Sequence, residues 1–212
     1  GLATKSIQVI EAGHPVPDEA GLNGAKETLR LIRALQPGDQ LIALISGGGS
    51  SLLTLPAADL SIQDLQITTQ ALLMSGAPIG QMNVVRKHLS GILGGHMARE
   101  AAARGAKVDA FLISDVTGDH PSSIASGPCA PDESTFADAL QILKDYDLLQ
   151  GQIPKVVTDY LQNGLLGKNP ETPKSGDPIF KQINNHLLAT AHSCLEAAAS
   201  YCESQGVKAV IL

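Results

Sequence analysis

Short apolar runs alternate along the chain with longer stretches in which apolar residues recur every three or four positions, and this alternation limits the fold more than any other feature. The short runs predict strands at 40–45, 108–113, 182–189 and 207–212, with a half-strand at 6–10. Strands that alternate with helices favour a mainly parallel sheet. We therefore predict the α/β class, with a Rossmann-like, doubly wound sheet and helices on both faces.

Residues that cap helices mark the expected helix boundaries. Asp18 can cap a helix that ends before Pro37, and Ser61 with Asp64 resembles a capping box. Further helical patterns lie at 82–90, 97–104, 135–146, 154–162 and 193–205.

The polar segment 164–178 is interpreted as a surface loop, because the strand, helix and strand that follow it are too short to fold alone. Residues 1–212 are thus expected to form a single α/β domain. The chain begins at Gly1 without an initiator Met, so we expect this domain to be part of a longer protein.

The composition argues against nucleic-acid and membrane partners. Fifteen Lys and Arg against 21 Asp and Glu give a net charge of −6, which opposes attraction to nucleic acid or anionic lipid. Three Tyr, three Phe and no Trp offer few surfaces for stacking bases. Apolar runs such as 41–45 are far shorter than the roughly 18 residues that suggest a membrane span.

Three cysteines, Cys129, Cys194 and Cys202, form no C-x-x-C pair. In one helix, Cys194 and Cys202 would lie roughly 12 Å apart, too far for a disulfide. Reduced thiols and a cytoplasmic location are expected, and Cys129, with no cationic neighbour in sequence, is expected to be a packing residue.

A loop of glycines and serines follows the strand predicted at 40–45. It contains the first group of candidate binding residues: Ser46, Gly47, Gly48, Gly49, Ser50 and Ser51. Glycines let backbone N–H groups approach an anion closely, and serine hydroxyls add donors, so the loop is typical of phosphate binding. A flexible connector is the alternative, and the loop matches neither a P-loop nor G-x-G-x-x-G.

The stretch 83–90 places Asn83, Arg86, Lys87 and Ser90 on one face of a predicted helix. Two cations and two neutral polar groups could bind an anion, although such a face is ordinarily solvated surface. His88 alone is better explained as a structural residue.

Two carboxylates, Asp115 and Asp119, follow the strand predicted at 108–113. They could hold Mg²⁺ or orient a hydroxyl nucleophile, while an ordinary turn explains the same spacing. Ser126 and Gly127, further along this loop, could add backbone donors.

Five blocks together resemble the glycerate 2-kinase family, whose members were often labelled hydroxypyruvate reductases. The blocks are 11–18, 44–51, 83–90, 113–119 and 124–128. The resemblance implies transfer of phosphate from ATP, with Mg²⁺, to the 2-hydroxyl of D-glycerate, in a cleft between a larger Rossmann-like domain and a smaller C-terminal domain. This chain resembles only the larger domain.

The resemblance supports a functional role for all of these candidate groups together. Arg86, Lys87, Asp115 and Asp119 become the expected catalytic residues, and the two aspartates the expected Mg²⁺ ligands. The glycine loop, Asn83, Ser126 and Gly127 become the expected substrate and phosphate ligands. Lys87 is expected to project with Arg86 toward 47–49.

The expected partners are D-glycerate and a nucleotide, in a protein that could form a homodimer. A nicotinamide-dependent hydroxypyruvate reductase is one alternative, disfavoured by the missing dinucleotide motif. A non-catalytic anion-binding domain is another.

Overall fold

The computed structural model describes residues 7–211. In chain order, the elements are α1 (Glu19–Arg33), β1 (Gln40–Ile45), α2 (Gly49–Leu52), α3 (Ile62–Ser75), α4 (Ile79–His88), α5 (His96–Ala102), β2 (Lys107–Ile113), α6 (Phe136–Asp145), α7 (Lys155–Leu165), β3 (Ile183–Ala189) and α8 (Ala191–Ser204). Short 3₁₀ turns occur at Ile124–Ser126 and Pro178–Gln182. None of the helices in this part of the chain is long and apolar enough to span a membrane.

The three strands form one parallel sheet in the order β1, β2, β3. Gln40 lies opposite Lys107, and Val108 lies opposite Ile183. The predicted α/β class and parallel sheet are confirmed.

One face of the sheet is packed against α1 and α5. Side chains such as Ala43, Val108 and Leu112 are buried there with Ile32 and Met97 of the helices. On the other face the side chains are open, with Ile42 59% and Leu44 80% exposed. Of the two expected helical layers, the described residues therefore show one over these strands.

A second core lies among α3, α4, α6 and α7. Its buried side chains include Leu72, Val85, Phe136, Leu143 and Leu161. Because α4 is held by this core on one side, Asn83 and Arg86 lie on another side of the helix.

The capping predictions are confirmed. The Asp18 side chain accepts a hydrogen bond from Gly21 N at 2.9 Å, and Ser61 with Asp64 forms a reciprocal capping box. These local contacts satisfy backbone donors that have no partner within the helix.

Two predicted strand segments were wrong. Residues 7–10 and 207–211 form no strand, while residues 6 and 212 lie outside the described residues. A strand needs a hydrogen-bonded neighbour, and β-branched composition alone does not supply one. The preceding α8 buries none of its side chains, so it does not hold 207–211 against a sheet edge.

Candidate functional site

A cleft of about 190 Å³ lies beyond the carboxyl ends of β1 and β2. Parallel sheets commonly bind ligands at this edge, because the loops there meet around a shared crevice. The cleft is lined by His14, Gly48, Ser50, Ser51, Ile79, Asn83, Arg86, Asp115, Val116, Ser123 and Ala125. The structure thus brings together residues from the glycine loop, α4 and the loop after β2.

The glycine loop passes close to the loop after β2. A Cβ atom at Gly47 would overlap the Asp115 carboxylate, and one at Gly49 would lie 2.6 Å from Ala125 Cβ. Gly48 has a φ of 78°, in the left-handed region that favours glycine. The amide N–H groups of Gly47 and Gly48 donate no hydrogen bond to another described residue, so they are free to meet an anion.

The serines around this loop differ in what they can offer a ligand. Ser51 Oγ donates to Pro15 O at 2.7 Å, so its hydroxyl holds the preceding segment. Ser50 Oγ lies 2.8 Å from Ser126 Oγ, and either atom can donate. Ser46 lies beside the cleft, with Gly47 and Gly49, in a groove of about 340 Å³ between α1 and β1.

Two residues of α4 reach the cleft without a partner. Asn83 is 8% exposed, and its buried Oδ1 accepts no hydrogen bond. No hydrogen bond or ion pair joins the Arg86 side chain to another residue in the described part of the chain. Arg86 is half-buried, and this burial lowers the pKa of its guanidinium.

The expectation that Lys87 projects toward the glycine loop was wrong. Its Nζ lies 2.6 Å from Asp132 Oδ1, with the two side chains 9% and 1% exposed. Thr172 Oγ1 also donates to Asp132, at 3.0 Å. Because successive helical residues point about 100° apart, Arg86 reaches the cleft while Lys87 turns to this buried carboxylate. Its position supports a structural role.

Ser90, on the same predicted stripe, is also used within the fold. Its buried Oγ accepts hydrogen bonds from Ile92 N at 3.2 Å and Leu93 N at 3.0 Å. Of the four stripe residues, only Asn83 and Arg86 therefore line the cleft.

Ser126 and Gly127 do not offer the expected backbone donors. Their amides donate to Ser123 O at 3.3 Å and Ile124 O at 2.9 Å. Their carbonyls accept from Gly94 and Gly95. These groups fix the loop after β2 against the start of α5, and they are not available to a ligand.

The two aspartates are separated by the turn between them. Asp115 is exposed and lines the cleft, whereas Asp119, with a φ of 54°, does not. Among residues 7–211, no three His, Cys, Asp or Glu side chains could hold a metal ion together. Asp115 still fits Mg²⁺, which in phosphoryl-transfer sites is bound by one or two carboxylates with phosphate oxygens and water.

His88 and Cys129 are structural, as expected. His88 Nδ1 lies 2.9 Å from Val84 O, and Nε2 lies 3.2 Å from Glu171 Oε2. Burial raises the pKa of the Cys129 thiol to about 12.

Sequence reasoning missed His14, whose ring lies beside Gly48, and the buried Asp132. His14 is in the block 11–18, so the resemblance was the available signal. For Asp132 the local sequence offered none.

A family model described as "Domain of unknown function (DUF4147)" matches residues 1–162. The chain belongs to the DUF4147 family. All residues that line the cleft fall within the matched DUF4147 segment. The contacts from Thr172 to Asp132 come from outside it.

Relatives of this DUF4147 chain confirm its resemblance to glycerate 2-kinases. A protein named glycerate 2-kinase from Pyrococcus horikoshii is 42% identical over 212 residues, which are 100% of this chain and 47% of that protein. A protein from Agrobacterium vitis with a hydroxypyruvate reductase name is 44% identical over 206 residues, 97% of this chain and 44% of that protein. A crystal structure of a Pyrococcus horikoshii protein matches with a TM-score of 0.83 and 41% identity, over 98% of this chain and 46% of that one. The chain spans about half the length of these relatives.

Proposed function

We propose that this chain is the larger domain of a glycerate 2-kinase, which transfers the terminal phosphoryl group of ATP to the 2-hydroxyl of D-glycerate and yields 2-phosphoglycerate. The observation that carries the proposal is the unpaired Arg86 guanidinium, which lines the same cleft as Gly48, whose amide donates no hydrogen bond to another described residue. ATP and glycerate are both anionic, and an unpaired, half-buried cation is stabilised when such a ligand binds.

The cleft residues match what phosphoryl transfer requires. The reaction depends on positioning the reactants and on neutralising the charge that spreads over the transferred group. Arg86 and the N–H groups of Gly47 and Gly48 would supply positive charge and donors. Asp115 would hold Mg²⁺, which neutralises charge on the phosphate oxygens.

We also propose a second domain and a cytoplasmic location for the full-length enzyme. The chain spans 47% of the Pyrococcus horikoshii relative, so we propose that a second domain closes over the cleft. All three cysteines are free, which is consistent with the proposed cytoplasmic location.

A coupled assay of ADP release with D-glycerate and Mg-ATP tests the function in the full-length protein. We expect Arg86→Met to reduce kcat/KM by about 10²-fold or more, the effect of removing one donor that acts in the transition state. Arg30→Met is the matched control, because Arg30 forms an exposed ion pair with Glu27 on α1, and it should change kcat/KM less than about threefold.

Two results would contradict the proposal. Oxidation of NADH by hydroxypyruvate, with no ADP release from D-glycerate, would favour the reductase. Binding of Mg-ATP by isothermal titration calorimetry without turnover in the full-length protein would favour a non-catalytic anion-binding domain.

A further inference from the structure

Asn83 and Arg86 lie three positions apart on α4 and both face the cleft. Residues at this spacing are neighbours on a helix surface, with Cβ atoms about 5–6 Å apart. A small ligand can therefore contact both side chains at once, and their chemistry restricts what that ligand is.

The side-chain oxygen of Asn83 lacks a hydrogen-bond donor. Its Oδ1 is buried and has no partner, although nearly all buried side-chain oxygens in folded proteins accept a hydrogen bond. The amide as a whole is 8% exposed, so bulk water does not solvate it freely. A ligand hydroxyl in the cleft would satisfy the oxygen once the Asn83 amide turns to present it.

The Arg86 guanidinium is suited to bind an anion. Its planar guanidinium presents several N–H donors in a fixed geometry that matches a carboxylate. In residues 7–211 it contacts no carboxylate. A ligand that pairs with both residues thus carries a carboxylate and, a few ångströms away, a hydroxyl.

An amide oxygen is too weak a base to remove a proton from an attacking hydroxyl. We therefore assign to it a hydroxyl that keeps its proton through the reaction, and leave the attacking hydroxyl to other groups. In glycerate this is the 3-hydroxyl, because the 2-hydroxyl is the one phosphorylated under the proposed function.

We infer that Asn83 is a specificity-determining residue, which accepts a hydrogen bond from the 3-hydroxyl of glycerate while Arg86 binds the carboxylate. This inference rests on the proposed function. It predicts that the site discriminates against 2-hydroxy acids that lack the second hydroxyl, because these leave the buried Oδ1 unpaired.

The test measures the affinities of D-glycerate and D-lactate for the full-length protein by isothermal titration calorimetry. D-Lactate has a methyl group in place of the CH₂OH of glycerate. We expect wild type to bind D-glycerate about 10- to 100-fold more tightly than D-lactate, and Asn83→Leu to bring this ratio to about 1. Asn23→Leu is the matched control, because Asn23 is exposed on α1 and should leave the ratio unchanged.

Thermal melting separates recognition from a structural role. Leucine has the same number and branching of side-chain heavy atoms as asparagine and removes an unpaired buried oxygen, so Asn83→Leu should keep the melting temperature of wild type or raise it. A lower melting temperature together with equal loss of affinity for both acids would show that Asn83 is structural and would overturn the inference.

Two further outcomes would also overturn it. One is an unchanged affinity ratio in Asn83→Leu, and the other is a loss of Mg-ATP affinity in place of D-glycerate affinity, which would put Asn83 at the nucleotide. Failure of the proposed function is distinguishable, because wild type would then release no ADP with D-glycerate.

Discussion

Replacing Lys87 by Met tests whether the buried ion pair is part of the structural framework. The substitution keeps most of the aliphatic side chain and removes the ammonium that lies 2.6 Å from Asp132 Oδ1. Asp132 would keep its hydrogen bonds from Ser134 and Thr172, but its charge would have no cation bonded to it.

The expected cost is large, because the Asp132 side chain is only 1% exposed. Removal of one partner from a buried ion pair typically costs about 3–5 kcal/mol, since the remaining charge is neither solvated nor paired. For a domain of this size, each kcal/mol lowers the melting temperature by about 2–4 °C. We therefore expect Lys87→Met to lower it by roughly 10 °C.

The contribution of this ion pair to the free energy of unfolding depends on pH. Burial raises the pKa of Asp132, but the hydrogen bond and charge of Lys87 outweigh it, and the pKa is below its ordinary value of 3.8. The pair thus stabilises wild type above about pH 4, and this contribution is lost as the pH falls through the lowered pKa. In Lys87→Met, burial without the cation favours protonation of Asp132, so the difference in stability from wild type should shrink toward low pH.

Chemical denaturation at pH 7 and pH 4, followed by circular dichroism, measures these free energies of unfolding. A double-mutant cycle with Asp132→Asn isolates the pair, and we expect the double variant to lose less than the sum of the single losses. Lys155→Met is the control, because its ion pair with Asp159 has an 85% exposed lysine and should cost less than about 0.5 kcal/mol. A loss for Lys87→Met no greater than for this control would refute the reasoning.

Three further predictions concern single residues. Gly47→Ala should reduce kcat/KM about tenfold or more by displacing Asp115, whereas Gly80→Ala, with open space around the new methyl group, should have little effect on the ADP-release assay. Burial and nearby charges lower the pKa of His96 to about 3, so between pH 6.5 and 3 this histidine binds a proton preferentially in the unfolded chain. The free energy of unfolding, measured by urea titration, should therefore fall as the pH is lowered over this range, and it should fall less in His96→Gln. Cys129 should resist iodoacetamide in the folded protein and react after denaturation, as mass spectrometry of digested samples will show, and its labelling at the rate of an exposed thiol would contradict the burial.

Most of the helices and all three strands of the sheet could be predicted because their signals are local. The caps at Asp18 and Ser61 act within three residues, and the apolar run 41–45 is bounded by polar turns. The run 207–211 has the same local character but forms no strand, because pairing depends on a partner that the run itself does not specify.

The candidate site could be predicted only in part for the same reason. The glycine loop and Asp115 meet because loops at the carboxyl ends of parallel strands converge, which the strand order implies, and Arg86 joins them from α4. The direction in which the Lys87 side chain points was not predictable, because its partner Asp132 lies 45 residues away in sequence and is placed by tertiary packing.

The exposed face of the sheet, opposite the face packed against α1 and α5, affects how the isolated chain will behave in solution. Within residues 7–211, β1 and β3 are the edge strands of the sheet and have unpaired backbone groups, and beside them lie apolar side chains such as Leu44 and Leu188. Edges of this kind promote association between copies of a chain. The net charge of −6 opposes such association, but it approaches zero near the isoelectric point of 5.4. Precipitation should therefore be most severe in mildly acidic, high-salt buffers, and titrations of the isolated chain call for low salt at pH 7 or above.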